Sequence, residues 1–348
     1  MILGRGCAPG KVILFGEHAV VYGRPALAVP VTQVQAEAVV EIGALGSGLT
    51  IVAADLGEQI TLRDARADQP LAAAARLALA RLGLADPDWL ITVHSTIPVA
   101  SGMGSGAAVS AAIVRALADA ASRESANQQI SKSAIRNTQY AIRSAQYELS
   151  TAELSALVYE VEKLHHGTPS GIDNTVIATG QPVYFVRGQP PQPFPIGRPF
   201  WLAIADTGIR SPTKITVGDV RLARQQEPAR YEALFDRIAS VVDAARAAIC
   251  AGETEALGPL MDVNHALLQE IDVSCSELDT LVVAARAAGA LGAKLSGGGR
   301  GGNMIALVTE ASTPNVADAL RSVGAVRVIV TAVGHSYTRA GGCPAVVH

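Results

Sequence analysis

The sequence predicts an α+β protein of two domains. Three observations carry this expectation: short strand-like runs before residue 100, a helical stretch from 107 to 166 without glycine or proline, and alternating helices and strands after residue 200. With 348 residues the chain is long enough to bury two hydrophobic cores. The segment 186–199, VRGQPPQPFPIGRP, is rich in proline and glycine, so we expect domains of residues 1–185 and 186–348.

The first hundred residues predict several strands and one helix. Apolar and polar residues alternate in some of the runs, which is typical of half-buried strands. The predicted strands are 12–15, 26–31, 34–42, 49–53, 59–62 and 90–95. Alanine and leucine at helical spacing predict a helix over 71–82.

Capping signals divide the stretch from 107 to 166 into helices. The sequences SANQ at 125–128 and STAE at 150–153 match the capping box, in which side chains satisfy unpaired N–H groups at a helix start. We therefore predict helices over about 105–122, 126–148 and 151–165.

The predicted helix 126–148 contains a near-duplicated heptad, IRNTQYA at 135–141 followed by IRSAQYE at 142–148. The repeat places Ile135, Ile142 and Leu149 in one row of an otherwise polar helix. A surface helix or insertion and a partner-binding helix both explain the pattern, and two heptads are too few to define a coiled coil.

The residues after 200 predict a smaller α+β layer of the split βαβ type. The predicted strands are 201–206, 304–308 and 326–333, and the predicted helices are 219–250, 253–270, 276–288 and 314–322.

Composition excludes several classes of protein. The net charge is −3, which gives no basic surface for nucleic acid. Four cysteines lie far apart without CxxC spacing, so a disulfide framework or zinc site is not expected. No secretory signal and no apolar run long enough for a membrane span is present. We expect a cytoplasmic protein that binds neither nucleic acid nor membrane, and the sequence leaves a homodimer open.

Two glycine-rich loops are candidates for phosphate binding. In IPVASGMGSGAAVSAAIVRAL at 97–117, the loop lies between a strand and an alanine-rich helix, where main-chain N–H groups and the helix N-terminus attract an anion. It lacks the Gly-Lys-Ser/Thr of a Walker motif. The second loop, KLSGGGRGGNMIALV at 294–308, leads into a strand. Turns that need glycine for positive φ, or a hinge, also explain such loops.

Charged residues near these loops suggest a catalytic cleft. Lys11, Glu17 and His18 interrupt an apolar run, where burial would be costly without partners. Glu162 lies in the last turn of a predicted helix, where the helix dipole disfavours a carboxylate and a cation is expected nearby. Asp173 follows a Ser-Gly turn, in which an aspartate also occurs for purely structural reasons.

Four segments together resemble the motifs of the GHMP small-molecule kinases, and within that superfamily the mevalonate kinase family. They are APGKVILFGEH at 8–18, PVASGMGSGAA at 98–108, HGTPSGIDN at 166–174 and KLSGGGRGG at 294–302. The motifs occur in the family's order and span nearly the whole chain. The resemblance implies an N-terminal domain like ribosomal protein S5 and a ferredoxin-like C-terminal domain. It also implies transfer of phosphate from ATP to the 5-hydroxyl of (R)-mevalonate.

The resemblance assigns roles to residues at matching positions. Asp173 would be the base that contacts the acceptor hydroxyl, and Lys11 would be the second catalytic residue beside it. Mg²⁺ would be held by Ser105 and Glu162, because a hard cation prefers oxygen ligands. ATP would be bound by Pro98, Ser101, Gly102, Met103, Gly104, Ser105, Gly106, Ala107, Gly297, Gly298 and Gly299. Mevalonate would be bound by Glu17, His18, Ser170, Gly171, Thr213 and Ser296.

Three positions depart from the family pattern. Ala100 and Gly106 replace a glycine and a serine in the first loop, which leaves Ser105 as its hydroxyl. Arg300 replaces a glycine in the second loop and would either point toward phosphate or outward. The alternatives are a kinase for another small alcohol, such as phosphomevalonate, homoserine or a sugar, and a catalytically inactive nucleotide sensor. The HGTPSGIDN run and the presence of Lys11 and Asp173 argue against them.

Overall fold

The computed structural model describes residues 1–98, 101–130, 147–166, 169–210 and 213–334, with main chain alone at 127–130 and 165–166. Within these residues the predicted α+β composition is confirmed, with two separate β-sheets and helices packed against them. None of the helices described is long and apolar enough to cross a membrane.

The described N-terminal residues form a seven-stranded sheet. Its strands are β1 Ile2–Phe15, β2 Ala26–Ile42, β3 Thr50–Ala53, β4 Glu58–Thr61, β5 Trp89–Ser95, β6 Val183–Phe185 and β7 Gln192–Pro193. The order is β4-β3-β5-β2-β6-β7, and β1 pairs with the other edge of β2. Because β7 pairs with β6, this sheet continues beyond residue 185, where we predicted the domain boundary.

The long strands β1 and β2 are irregular next to Lys11. The sequence predicts only 12–15 of β1 and divides β2 at Thr32 and Gln33, whereas the pairing shifts between Pro9 and Gly10 and both strands continue. Lys11 lies opposite Pro30, which has no N–H to donate to the ladder. The extra residues, 32–34, belong to β2, so the bulge lies in that strand, opposite the part of β1 that carries a predicted catalytic side chain.

Four helices accompany the described part of this sheet: α1 Pro70–Leu82, α2 Ser105–Ile130, α3 Thr151–His166 and α4 Ile172–Thr179. Helix α2 crosses β1 so closely that glycine is required in the strand. A Cβ on Gly4 would overlap the main chain at Ala120, and one on Gly6 would overlap the carbonyl oxygen of Ala112. Because glycine has no side chain, this part of β1 shows no alternation of apolar and polar residues, and the sequence pattern does not predict the strand there.

The described C-terminal residues form a four-stranded antiparallel sheet. Its strands are β8 Phe200–Asp206, β9 Gly292–Ser296, β10 Asn303–Val308 and β11 Arg327–Val333, in the order β11-β8-β10-β9. The helices are α5 Thr213–Gln226, α6 Pro228–Ala251, α7 Leu257–Glu270, α8 Ser276–Ala287 and α9 Thr313–Ser322. The central place of β8 and β10 confirms the predicted split βαβ layer.

The helix boundaries test the capping signals. At Ser150 the capping box is confirmed: Ser150 N donates to Glu153 Oε2 at 2.9 Å, and Glu153 N donates to Ser150 Oγ at 3.2 Å. At Ser125 the prediction is wrong, because α2 continues unbroken through this residue. The duplicated heptad lies almost entirely outside the described residues, although Tyr147 and Leu149 at its end pack against the core.

The close approach of α2 to β1 predicts that Gly6→Ala destabilises the protein. Its methyl group would overlap Ala112, and overpacking costs about 1–3 kcal/mol or more in free energy of unfolding. Gly218→Ala is the matched control, because a Cβ there meets nothing within 4 Å. Since alanine is the better helix former, that change should raise the free energy of unfolding by about 1 kcal/mol. Urea unfolding checks both values, and equal stability of the two variants would contradict this packing.

Candidate active site

Lys11 and Asp173 meet at the centre of the candidate site. Lys11 lies on β1 with its side chain 4% exposed, and its Nζ is 2.8 Å from Asp173 Oδ1. Asp173 lies in the first turn of α4, an eight-residue helix that the sequence reading treats as a turn. The side chain of Asp173 is 25% exposed, so an incoming molecule can reach its carboxylate, whereas Lys11 is buried.

Glu162 shares the electrostatic environment of this pair. It lies one turn before the end of α3 and is 3% exposed. Burial and the charge of Asp173 raise the pKa of the Glu162 carboxyl to about 7, while Lys11 opposes the shift. The structure therefore brings together the three charged residues that the sequence proposes as catalytic or metal-binding.

The first glycine-rich loop is attached directly to Lys11. The main-chain N–H of Lys11 donates to the carbonyl oxygen of Met103 at 3.0 Å. A Cβ on Gly104 would lie 2.9 Å from Ile177 Cδ1 and 3.2 Å from Lys11 Cγ, so only glycine fits there without a shift of its neighbours. Ser105 follows as the first residue of α2, which places the N-terminus of this helix beside the pair.

The other predicted phosphate-loop residues present main chain rather than side chains. Met103 is 1% exposed, and Ala107 is buried in α2. The Ser101 hydroxyl donates to the carbonyl oxygen of Pro98 at 2.9 Å. Gly102 is exposed with a φ of 80°, and Gly106 is half-buried at the helix start. The arrangement offers N–H groups at a helix N-terminus, which is suited to an anion.

The second glycine-rich loop is anchored against the N-terminal domain. Ser296 Oγ donates to the carbonyl oxygen of Ile13 at 2.8 Å, and Asn303 Nδ2 donates to that of Ser101 at 2.5 Å. Gly297 has a φ of 93° and open space where a Cβ would lie. The two loops thus lie against each other, although they are about 200 residues apart along the chain.

Gly299 in the same loop tolerates no side chain. A Cβ there would overlap the carbonyl oxygen of Val273. The next residue, Arg300, also has positive φ and pairs with Asp219 and with Asp272, the latter at 3.1 Å. Arg300 could point toward phosphate or outward, and in the structure its guanidinium is held by these two carboxylates.

The predicted acceptor residues are found in different environments. His18 is 5% exposed, and its Nε2 lies 3.0 Å from the carbonyl oxygen of Gly298. A carbonyl only accepts, so Nε2 carries the proton, and Nδ1 has no partner among the described residues. Burial lowers the pKa of His18 to about 4, despite the bond to Gly298, and Arg300 adds to the shift.

Glu17 differs from the prediction. We expected it to face the acceptor, but its side chain has no exposed surface and is ion-paired with Lys294 of β9. The hydroxyl of Ser296, as described above, is likewise engaged by the protein.

Thr213, Ser170 and Gly171 lie at the edges of the site. Thr213 is the exposed first residue of α5, and its Oγ1 would be 2.9 Å from a Cβ on Gly298. Ser170 is half-buried and its Oγ accepts from the N–H of Ile172 at 3.3 Å. Gly171 has a φ of 92°, which a residue with a side chain rarely adopts.

Three supporting residues were not assigned roles from the sequence. Arg115 of α2 donates to the carbonyl oxygens of Cys7 and Ala178, at 2.6 and 3.0 Å, and so joins β1 to the end of α4. Asn174 Nδ2 donates to Ser155 Oγ at 2.8 Å and joins α4 to α3. Lys294 was quoted within a motif only. Its position between Ala293 and Leu295 is the signal in the sequence that it needs a partner.

Comparisons with known proteins agree with this geometry. The sequence profile described as GHMP kinases N terminal domain matches residues 70–181, and the one described as GHMP kinases C terminal matches residues 245–326. The mevalonate kinases of Pyrococcus furiosus and Thermococcus gammatolerans are each 33% identical to this chain, covering 92% of it and 94% of their own lengths. The crystal structure of L. major mevalonate kinase in complex with R-mevalonate matches with a TM-score of 0.77 and 30% identity over 95% of both chains. The resemblance seen in the four motifs is confirmed: this chain belongs to the GHMP kinase family.

Proposed function

We propose that this kinase transfers the γ-phosphate of ATP to the 5-hydroxyl of (R)-mevalonate, giving 5-phosphomevalonate and ADP. The contact of Lys11 Nζ with Asp173 Oδ1 at 2.8 Å, beside the N-terminus of α2, is the observation that carries the chemistry. Mevalonate as acceptor is supported by relatives named mevalonate kinase that align with 92% of the chain. The use of ATP follows from membership of a kinase family.

The residues divide the reaction between them. Asp173 accepts the proton of the acceptor hydroxyl while its oxygen attacks the γ-phosphorus. The bond from that phosphorus to the bridging oxygen breaks, and its electron pair leaves with ADP. Lys11 stabilises the negative charge that develops on the attacking oxygen. Main-chain N–H groups of the first loop bind phosphate oxygens at the start of α2.

The donor set fits Mg²⁺. A magnesium ion prefers oxygen ligands and usually takes one or two carboxylates together with substrate phosphates. Glu162 would supply the carboxylate and Ser105 the hydroxyl. Two carboxylates, Glu162 and Asp173, share one lysine here, and their repulsion contributes to the raised pKa of Glu162. A cation would relieve that repulsion, and when bound it would neutralise charge on the transferred phosphate.

His18 and Thr213 would contact the acceptor. Because Nε2 of His18 donates to Gly298, its Nδ1 is left as a hydrogen-bond acceptor. A neutral imidazole with a free lone pair suits a hydroxyl group better than a carboxylate. Thr213 at the exposed start of α5 offers a hydroxyl group to the carboxylate end of the acceptor.

The acceptor assignment predicts a clear order of substrates. With Mg²⁺ and ATP, kcat/KM for mevalonate should far exceed that for homoserine, galactose or phosphomevalonate in a coupled assay of ADP release. A greater or equal value for one of the other alcohols would reject mevalonate and retain the kinase. No turnover of any alcohol would instead favour a nucleotide-binding sensor.

Asp173→Asn should lower kcat by roughly 10²–10⁴, which is the usual contribution of a positioned general base. The Kd of the nucleotide should change little, because the lost charge acts on the acceptor hydroxyl. Asp318→Asn is the control, since Asp318 is an exposed residue of α9 paired with Arg321. Activity above half that of the wild type in Asp173→Asn would mean that Asp173 only shapes the turn.

Glu162→Gln should raise the Mg²⁺ concentration needed for half-maximal activity while the protein stays folded, because an amide is a poorer ligand than a carboxylate. Glu160→Gln, two residues away on the exposed face of α3, is the matched control. An unchanged Mg²⁺ titration in Glu162→Gln would place the metal ligand elsewhere.

The raised pKa of Glu162 also predicts a pH dependence. Its carboxyl must lose a proton to bind Mg²⁺, so affinity should increase as pH rises through about 7, with proton release measurable by calorimetry in two buffers. Without metal, the folded state holds this proton more tightly than the unfolded state, whose pKa is near 4.5. The contribution of Glu162 to stability should therefore decrease as pH rises from about 4.5 to 7. Glu162→Gln should abolish both effects, and an unaltered pH profile would contradict this origin.

A further inference from the structure

A fully buried ion pair joins the first and last motifs of the chain. Lys294 Nζ donates to Glu17 Oε1, and neither side chain has any exposed surface. Lys294 also donates to the carbonyl oxygen of Leu295 at 2.6 Å, and its ammonium lies 6.0 Å from the centroid of the Phe15 ring. Burial raises the pKa of Glu17 and lowers that of Lys294, and the attraction between the two opposes both shifts.

Stability does not account for this pair. Removing two charges from water costs about as much as their attraction returns, and well-packed apolar residues of similar volume often replace such a pair without loss. Glu17 Oε2 has no hydrogen-bond partner among the described residues, which makes the arrangement more costly.

The residue after Glu17 is under backbone strain. His18 has a φ of 60° and a ψ of −49°, an unfavourable conformation for a residue with a Cβ. Such strain persists where surrounding contacts determine the conformation, and it is concentrated at functional sites. Here the contacts on both sides come from the last motif: Lys294 holds Glu17, and the carbonyl oxygen of Gly298 accepts from His18 Nε2.

The Lys294–Glu17 ion pair matters more for the position of residues 17 and 18 than for the loop that follows Lys294. The loop that follows Lys294 has independent anchors in the bonds from Ser296 to Ile13 and from Asn303 to Ser101. The side chain of Glu17 pairs with Lys294 and that of His18 bonds to Gly298, so both are held by the last motif. Loss of the ion pair should therefore displace His18 more than the glycine-rich loop.

We propose that the Lys294–Glu17 ion pair is a positioning device that holds His18 in its strained conformation and thereby sets the affinity for the alcohol acceptor. The inference rests on the proposed function in that it takes His18 as an acceptor contact. Lys294 and Glu17 touch no reactant themselves and act through His18.

The test replaces the pair without leaving a buried charge. Glu17→Gln or Lys294→Met alone strands a charge in the core and should lower the melting temperature by several degrees. The double variant Glu17→Gln/Lys294→Met should melt within about 2 °C of the wild type. In that variant KM for the acceptor should rise at least about tenfold, while the Kd of a nonhydrolysable ATP analogue changes less than about twofold.

A mutant cycle with His18 separates positioning from a general loss of structure. In a His18→Ala background, the same double change should raise the acceptor KM no further, because the residue through which it acts is gone. Asp243→Asn is the matched control, as it removes an acid that links α6 to Tyr184 of β6 away from the site. It should leave the acceptor KM unchanged.

Three results would overturn the inference: a double variant with wild-type acceptor KM, an effect on nucleotide Kd without one on the acceptor, or additive effects in the cycle. If the double variant does not fold, Glu17→Asp decides. Its shorter side chain keeps the charge but must pull residue 17 toward Lys294, so wild-type KM there would also overturn the inference. The assays use the acceptor that the wild type phosphorylates in the substrate panel, so a wrong mevalonate assignment would be seen separately.

Discussion

The site depends on the attachment of the first glycine-rich loop to β1 at Lys11. One residue makes both connections: its N–H bonds to Met103 and its side chain pairs with Asp173. Pro30, opposite Lys11, has no N–H for the ladder at this point. Gly104 then lets the loop lie flat against the lysine stem. Lys11 therefore links strand, loop and helix α4, and Arg115 adds a second connection between β1 and the end of α4.

Charge balance gives this arrangement its chemical character. Lys11 faces two carboxylates, and Glu162, the more deeply buried of them, holds its proton to about pH 7. While Glu162 keeps its proton, Lys11 and Asp173 balance each other, and once it loses that proton the three side chains carry one net negative charge. In the proposed function, a divalent cation at Glu162 and a nucleotide phosphate at the N-terminus of α2 would bring opposite charges to neighbouring positions. Each would make the binding of the other more favourable.

The sequence predicts the parts of the fold whose signals are local. Ser150 and Glu153 bond to each other across three residues, so their capping box is visible in the sequence. Strand β9 was missed, because its five residues contain a glycine and a lysine and lead into a glycine-rich loop. Helix α4 was missed because it begins within a Ser-Gly turn.

The site shows the same division between local and distant signals. The motifs point to Lys11 and Asp173 and the end of a predicted helix points to Glu162, and the fold brings the three together. The partner of Glu17 is 277 residues away, so the sequence pattern predicts a residue that faces the cleft instead of a buried ion pair. Local pattern shows that such a group needs a partner but does not identify it. The site is for this reason a property of both domains. Division at residues 185 and 186 would separate Glu17 from Lys294 and Ser101 from Asn303, and would leave Lys11 and Asp173 beside the first glycine-rich loop with no second loop against it.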